Sequence, residues 1–273
     1  MERTPPRVLT IAGSDSGGGA GLQADLRALF ACGVHGMTAV TAVTVQNSLG
    51  VTGYTEIPPE VVAAQIEAVA GDIGVNAAKT GMLASAGIIE AVAEACDRVH
   101  IGRTIPFVVD PVAASMHGHQ LLADDALKAL RDELFPRATL VTPNLDEVRL
   151  LTGLEVRSRA DQREAARALH ALGPRWVLVK GGHLWDDPEC LDVLYDGAEF
   201  VELLGPRFDV PHTHGSGDTL ASAICSRLAR GESVPDAVRF GKEFIVRSVR
   251  AAYPLGAGVG PVSPLWRLAD GSH

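Results

Sequence analysis

Short runs of β-branched and apolar residues alternate with longer stretches of helical periodicity along the whole chain, and this alternation leaves few folds open. VLTIAG at 8–13 gives way to GLQADLRALFACG at 21–33, where Leu22, Leu26, Leu29 and Phe30 fall at helical spacing. The order repeats through TAVTAVTV at 38–45, a helix near 59–70, IIEAVAEACDRV at 88–99, PFVVDP at 106–111, LKALRDEL at 127–134 and TLVTP at 139–143. It continues with DQREAARALHAL at 161–172, WVLVKGG at 176–182 and two closing helices near 218–230 and 235–252. PFVVD and WVLVK are apolar on both faces, as in a parallel sheet covered by helices on both sides, so the pattern predicts a three-layer α/β fold. The segments 191–197 and 199–205 are too close for a helical crossover and predict an antiparallel hairpin at one sheet edge. No linker or fixed-period repeat divides the 273 residues, so 1–273 reads as a single domain.

A net charge of −9 argues against nucleic acid or an anionic membrane as the main partner, so any phosphate must be held by local groups. Nowhere do 18 uncharged apolar residues run together, and MERTPPRVLTIAG lacks the apolar stretch of an export signal. Cys32, Cys96, Cys190 and Cys225 are scattered with no Cys-x-x-Cys pair, which points to reduced thiols in a cytoplasm.

Ligands of a parallel α/β sheet gather beyond the carboxyl ends of its strands. Unusual chemistry stands at several such ends: Gly13 with Asp15, Gln46 with Asn47, Asp110 with Pro111, Asn144 to Glu147, and Lys180 with Gly181 and Gly182. In PHTHGSGDTLASAI at 211–224, a turn through Gly215, Ser216 and Gly217 leads into a helix expected from about Asp218. Free N–H groups and the helix dipole there suit an anion. A carboxylate costs energy in such a mouth, so Asp218 suggests a base that accepts a proton from an alcohol under phosphorylation; the bland reading is a helix cap. The spacing of Asn144 and Glu147 places amide and carboxylate on one helical face, aimed at a hydrated cation such as magnesium, although Asn144 also suits a cap. SDSGG at 14–18 matches a serine-protease peptide in the wrong context, and no P-loop occurs. A dinucleotide or methyltransferase loop is disfavoured because Gly-x-Gly-x-x-Gly is unmatched and Gln46, not an acid, ends the next strand.

Taken together, AGSDSGGGAGLQAD at 12–25, TAVTVQNSLGV at 41–51, KTGML at 79–83, VVDPV at 108–112, TPNLDE at 142–147, VKGGH at 179–183 and HTHGSGDTLASAI at 212–224 closely resemble the hydroxymethylpyrimidine/phosphomethylpyrimidine kinases of thiamine biosynthesis. These are a branch of the ribokinase-like superfamily. The resemblance implies a ribokinase-like fold, a homodimer, MgATP as donor, and 4-amino-5-hydroxymethyl-2-methylpyrimidine or its monophosphate as acceptor. It implies that Gly13, Asp25, Gln46, Met82 and Val112 form the pyrimidine pocket, where an amide such as Gln46 can pair with a ring nitrogen and the adjacent amino group. By the same resemblance, Asp110, Asn144 and Glu147 serve magnesium and phosphate, and Lys180, Thr213, His214, Gly215, Ser216 and Gly217 line the ATP phosphates. Lys242 falls near the adenine. Catalysis would then rest on Asp218 with the Gly215 and Gly217 amides.

Two departures bear on the acceptor: Asp218 stands where the family usually has cysteine, and Met116 where it commonly has lysine. Losing that cation predicts weaker handling of the monophosphate. A pyridoxal or related vitamin kinase is the alternative enzyme, and a ligand-binding sensor the alternative from another class.

Overall fold

The computed structural model describes residues 4–114, 120–182, 184 and 187–269, without the side chains of 268 and 269. Met116 lies outside the described residues.

An eight-stranded sheet forms the middle layer. Its six parallel strands are β1 (Arg7–Ala12), β2 (His35–Val40), β5 (Ala77–Thr80), β6 (Phe107–Val109), β7 (Leu140–Val141) and β8 (Val177–Val179). The predicted hairpin is β9 (Asp192–Tyr195) with β10 (Phe200–Leu203), antiparallel and at the edge. Strand order is β10-β9-β8-β7-β6-β5-β1-β2, so the order of strand addition reverses between the parallel neighbours β1 and β5, which makes a crevice at their carboxyl ends.

Helices α2 (Pro59–Asp72), α3 (Ala86–Arg98), α4 (Asp124–Ala129), α5 (Leu145–Thr152) and α6 (Arg159–His170) cover one face. There they pack on Leu9, Ile11, Val109 and Val179. The opposite face, with Val8, Ala77, Val108 and Leu178, is covered by α1 (Gly21–Ala31), α7 (Ser216–Leu228) and α8 (Val234–Arg250). A short α9 (Trp266–Ala269) follows, and α4 runs on through a π-helical turn at Leu130–Leu134.

One expectation is corrected and one strand is added. The segment 38–45 is not one strand: the chain leaves the main sheet at Thr41, whose N–H donates to Ala12 O and whose hydroxyl donates to Met82 O. Beyond that pin, β3 (Ala42–Asn47) pairs antiparallel with β4 (Gly50–Glu56) in a separate small sheet. Val43 and Val45 are therefore half or more exposed rather than buried. Second, β5 has no counterpart in the apolar runs of the sequence, because Lys79 interrupts it; yet Lys79 is fully buried.

Candidate active site

The crevice is built from glycine-rich segments at the carboxyl ends of β1 and β5. Gly13 N donates to Met82 O, and a Cβ on Gly13 would lie 2.7 Å from Met82 Cε, so the pair predicted for the acceptor pocket is in contact. From the following loop, Ser14 O accepts the Thr44 hydroxyl and the Ser16 hydroxyl donates to Gln46 O, which fastens the small sheet to the loop. Gln46 is thereby held with its amide 3.4 Å from His214 Nε2. Val112, two residues beyond Asp110, has φ +43, a strained backbone for a β-branched side chain.

Asp15 is the hub of the first loop. Its Oδ1 accepts from Gly17 N, and its Oδ2 accepts from Gly19 N and Ala20 N and lies 3.0 Å from His214 Nε2. Burial works against this carboxylate's charge, but the His214 contact and the Ala20 and Gly17 amides outweigh it and hold the pKa below the usual range.

The turn before α7 differs from expectation by two residues. Gly215, at φ +72, is the N-cap, so Ser216, Gly217 and Asp218 already lie in the first helical turn. The backbone here must be glycine: a Cβ on Gly215 would stand 2.0 Å from Gly19 O. Ser216 N is not free, since it donates to Thr213 O, whereas the N–H groups of Gly215 and Gly217 have no partner among the described residues. Asp218 makes no cap hydrogen bond, which removes its bland reading. Its carboxylate lies 3.9 Å from Lys79 Nζ. Burial, offset by Lys79 and reinforced by Asp25 and Asp110, pushes its pKa up to about 6.

Asp25 is not open to a ligand. It is fully buried, with Oδ2 accepting from the Thr10 hydroxyl at 2.6 Å and Oδ1 from Lys79 Nζ and the Ser222 hydroxyl at 2.7 Å each. Named with the pyrimidine pocket by resemblance, Asp25 lies beneath the crevice, with its oxygens bonded to Thr10, Lys79 and Ser222. Removing either partner of such a buried pair costs about 3–5 kcal/mol. Three carboxylates, Asp25, Asp218 and Asp110, overcome burial and raise the Lys79 pKa. The sequence signal for Lys79 is a charged residue opening KTGML at 79–83.

On the far side, Asp110 Oδ1 accepts from the Thr142 hydroxyl at 3.0 Å and Lys180 Nζ at 3.1 Å. Its other oxygen faces Gly217, where a Cβ would lie 3.3 Å from Oδ2 and 3.4 Å from Lys180 Nζ. For Lys180, burial disfavours the ammonium, but Asp110 and Glu147 prevail and raise its pKa.

Asn144 and Glu147 form a capping box at the start of α5: Asn144 Oδ1 accepts from Glu147 N, and Glu147 Oε2 from Asn144 N. Their spacing reflects this cap, not a shared helical face, because Asn144 precedes the helix. Glu147 Oε1 accepts from Ala113 N. Burial, opposed by Lys180 and helped by Asp110, pushes Glu147 up to about 7.

Lys242 lies on α8. It is buried, and its Nζ donates to Cys190 O and Asp192 Oδ2 at 2.8 Å each. Asp192 Oδ1 accepts from Gly181 N, so Lys242 braces the loop that follows Lys180.

The phosphomethylpyrimidine kinase family model matches residues 15–263, from the Asp15 hub to beyond the α8 helix. The chain belongs to the phosphomethylpyrimidine kinase family. A hydroxymethylpyrimidine/phosphomethylpyrimidine kinase of Mycobacterium tuberculosis is 60% identical over 266 residues, covering 97% of this chain and 96% of that protein. A thiamine biosynthesis bifunctional protein of Geobacter sulfurreducens is 46% identical over 263 residues, 96% of this chain and 53% of that protein. Among solved structures, an ADP complex of Bacillus subtilis pyridoxal kinase is similar at TM-score 0.88 and 37% identity, covering 96% of this chain and 98% of that one. This phosphomethylpyrimidine kinase family member is a phosphotransferase of thiamine biosynthesis with a ribokinase-like fold.

Proposed function

We propose that the chain transfers the γ-phosphoryl group of MgATP to the hydroxymethyl group of 4-amino-5-hydroxymethyl-2-methylpyrimidine. The observation that carries this reading is Asp218: a carboxylate with no hydrogen bond to the described residues, in the first turn of α7 beside two unpartnered glycine amides. The hydroxyl oxygen bonds to phosphorus, the bond from phosphorus to the β–γ bridging oxygen breaks, ADP leaves with that electron pair, and the hydroxyl proton passes late to Asp218. The Gly215 and Gly217 amides, Lys180, Thr213, Ser216 and His214 meet the phosphates, while Gly13, Gln46, Met82 and Val112 hold the ring.

Magnesium, when carried in on ATP, neutralises phosphate charge. One oxygen of Asp110 has no partner among the described residues, and both Glu147 oxygens are taken by backbone N–H groups. That donor set fits a largely hydrated ion shared with phosphates rather than a protein cage. Among the described residues no cluster of three or more His, Cys, Asp or Glu is arranged to hold a metal.

Further phosphorylation of the monophosphate belongs to the same reading. The pyridoxal alternative is favoured by the Bacillus subtilis likeness together with aspartate at 218. A homodimer is supported by the small sheet, where Val43, Val45, Leu49, Val51 and Tyr54 are all at least half exposed. The four unpaired cysteines support a cytoplasmic setting, and among the described residues no helix is long and apolar enough to cross a membrane.

The test is ADP release with MgATP and four acceptors in parallel: hydroxymethylpyrimidine, its monophosphate, pyridoxal and pyridoxine. Turnover of both pyrimidines is expected, slower with the monophosphate because Met116 stands where the family commonly has lysine. Preference for pyridoxal would promote the alternative, and silence on all four would refute the kinase reading of the acceptor.

A further inference from the structure

Thr10 and Lys79 are partners across the β1–β5 ladder, on the sheet face that α1 and α7 cover. Their neighbours in that layer, Val8, Ala77 and Val108, are apolar. An ammonium placed there needs a carboxylate, and Asp25 at 2.7 Å supplies one. Yet Nζ also stands 3.9 Å from Asp218 Oδ1. The two carboxylates differ. Asp25 is sealed and fully hydrogen-bonded, whereas the Asp218 side chain is 14% exposed and makes no hydrogen bond to the described residues. The lysine therefore links a satisfied carboxylate below the crevice to an open one inside it.

The charged and titratable groups around Asp218 are Lys79 from β5, Asp25 from α1, Asp110 after β6, Lys180 after β8 and His214 from the preceding turn. Two of these are carboxylates, and the ATP phosphates add more negative charge. Without a cation at the distance of Lys79, burial and those neighbours favour the protonated acid, which cannot accept an alcohol's proton.

We propose that Lys79 is a positioning residue for phosphoryl transfer: its buried ammonium, anchored by Asp25, keeps the Asp218 carboxylate ionised and ready for the acceptor hydroxyl. Asp25, Thr10 and Ser222 then form the fixture that holds the ammonium. This inference rests on Asp218 being the base.

A merely structural Lys79 would exist only to neutralise Asp25, and removing both charges separates the cases. The variant Lys79→Met/Asp25→Asn is expected to melt near the wild-type temperature and to keep KM for MgATP within about twofold. Its kcat at pH 7 should fall by about twofold to tenfold and recover as pH rises, because the acid limb, near pH 6 in the wild type, moves up by about one to two pH units. Lys79→Gln, which retains a donor for Asp25 without charge, is measured in parallel and should show a limb displaced at least as far, because the Asp25 charge that also raises Asp218 remains. Wild-type kcat with an unmoved acid limb in either folded variant would overturn the proposal, as would failure of both to fold, which would assign Lys79 to the fold alone. Asp218→Asn serves as the control for the underlying reading. If it retains turnover, the base assignment fails; if it loses turnover while the Lys79 variants do not, only the role of Lys79 falls. Adding Lys79→Met/Asp25→Asn to Asp218→Asn should cause no further loss of kcat.

Discussion

His214 Nε2 lies 3.0 Å from Asp15 Oδ2 and joins the loop after β1 to the turn before α7 across 199 positions of sequence. The same carboxylate organises three backbone amides, so the first glycine-rich loop and the candidate phosphate turn share one support. Stranding those donors should make Asp15→Ala less stable by about 2–4 kcal/mol in urea titration at neutral pH. A folded-state pKa below the usual range means that the contribution is fully present above about pH 4 and is lost as pH falls through the lowered value. The gap between wild type and Asp15→Asn should therefore narrow in acid; a gap that is constant from pH 7 to pH 3 would refute the charge-assisted hub.

Asp218 titrates at about 6, so kcat should drop as pH falls below about 6, when the base becomes protonated. Asp218→Asn should lower kcat by roughly 10²-fold and abolish that limb while leaving KM for MgATP nearly unchanged. Near-normal turnover in this variant removes Asp218 from the reaction.

Gly215→Ala should be inactive and poorly ordered at the turn. The new methyl combines a left-handed backbone at φ +72 with a 2.0 Å approach to Gly19 O, and neither loop can retreat without breaking the Asp15–His214 link. A protein with unchanged kcat/KM for ATP would show that the two glycine-rich segments need not touch during turnover.

The layered architecture and the β9–β10 hairpin were legible because runs such as PFVVD and WVLVK are apolar on both faces and the hairpin strands are too close for a crossover. The strand β5 was not, since four residues with a lysine among them carry no apolar period. Nor was the break at Thr41, where two hydrogen bonds to Ala12 and Met82, distant in sequence, divert the chain. At the candidate site, strand-end residues singled out by type do come together in space, as Asp110 and Lys180 do at 3.1 Å. What each side chain bonds to was beyond that reading. Asn144 to Glu147 has one spacing for a cap and for a cation site, and nothing local marks Asp25 as the partner of Lys79, 54 residues away.

Lys242→Met should destabilise the protein by about 3–5 kcal/mol, because Asp192 is then left buried without its cation. The loop after Lys180 should also loosen through the Asp192–Gly181 bond, raising amide exchange at Gly181 and Gly182. Unaltered stability together with a large rise in KM for ATP would instead favour direct contact between Lys242 and the nucleotide.

Glu147 offers the reverse linkage to Asp15. Burial lifts it to about 7, so the folded protein holds this proton more tightly than the unfolded chain, whose value is near 4.3. Ionising it costs stability progressively as pH rises from about 4.3 to about 7. Glu147→Gln keeps an oxygen for Asn144 N but turns an amide toward Ala113 N, a loss that does not depend on pH. Superimposed on that constant loss, the variant should gain stability relative to wild type between pH 5 and pH 8 in urea titrations. Its requirement for magnesium should rise over the same range, because the charge that burial resists is the one a hydrated cation beside Asp110 would favour. Equal stability differences at both pH values would show that Glu147 is already ionised in acid and acts only as the cap of α5.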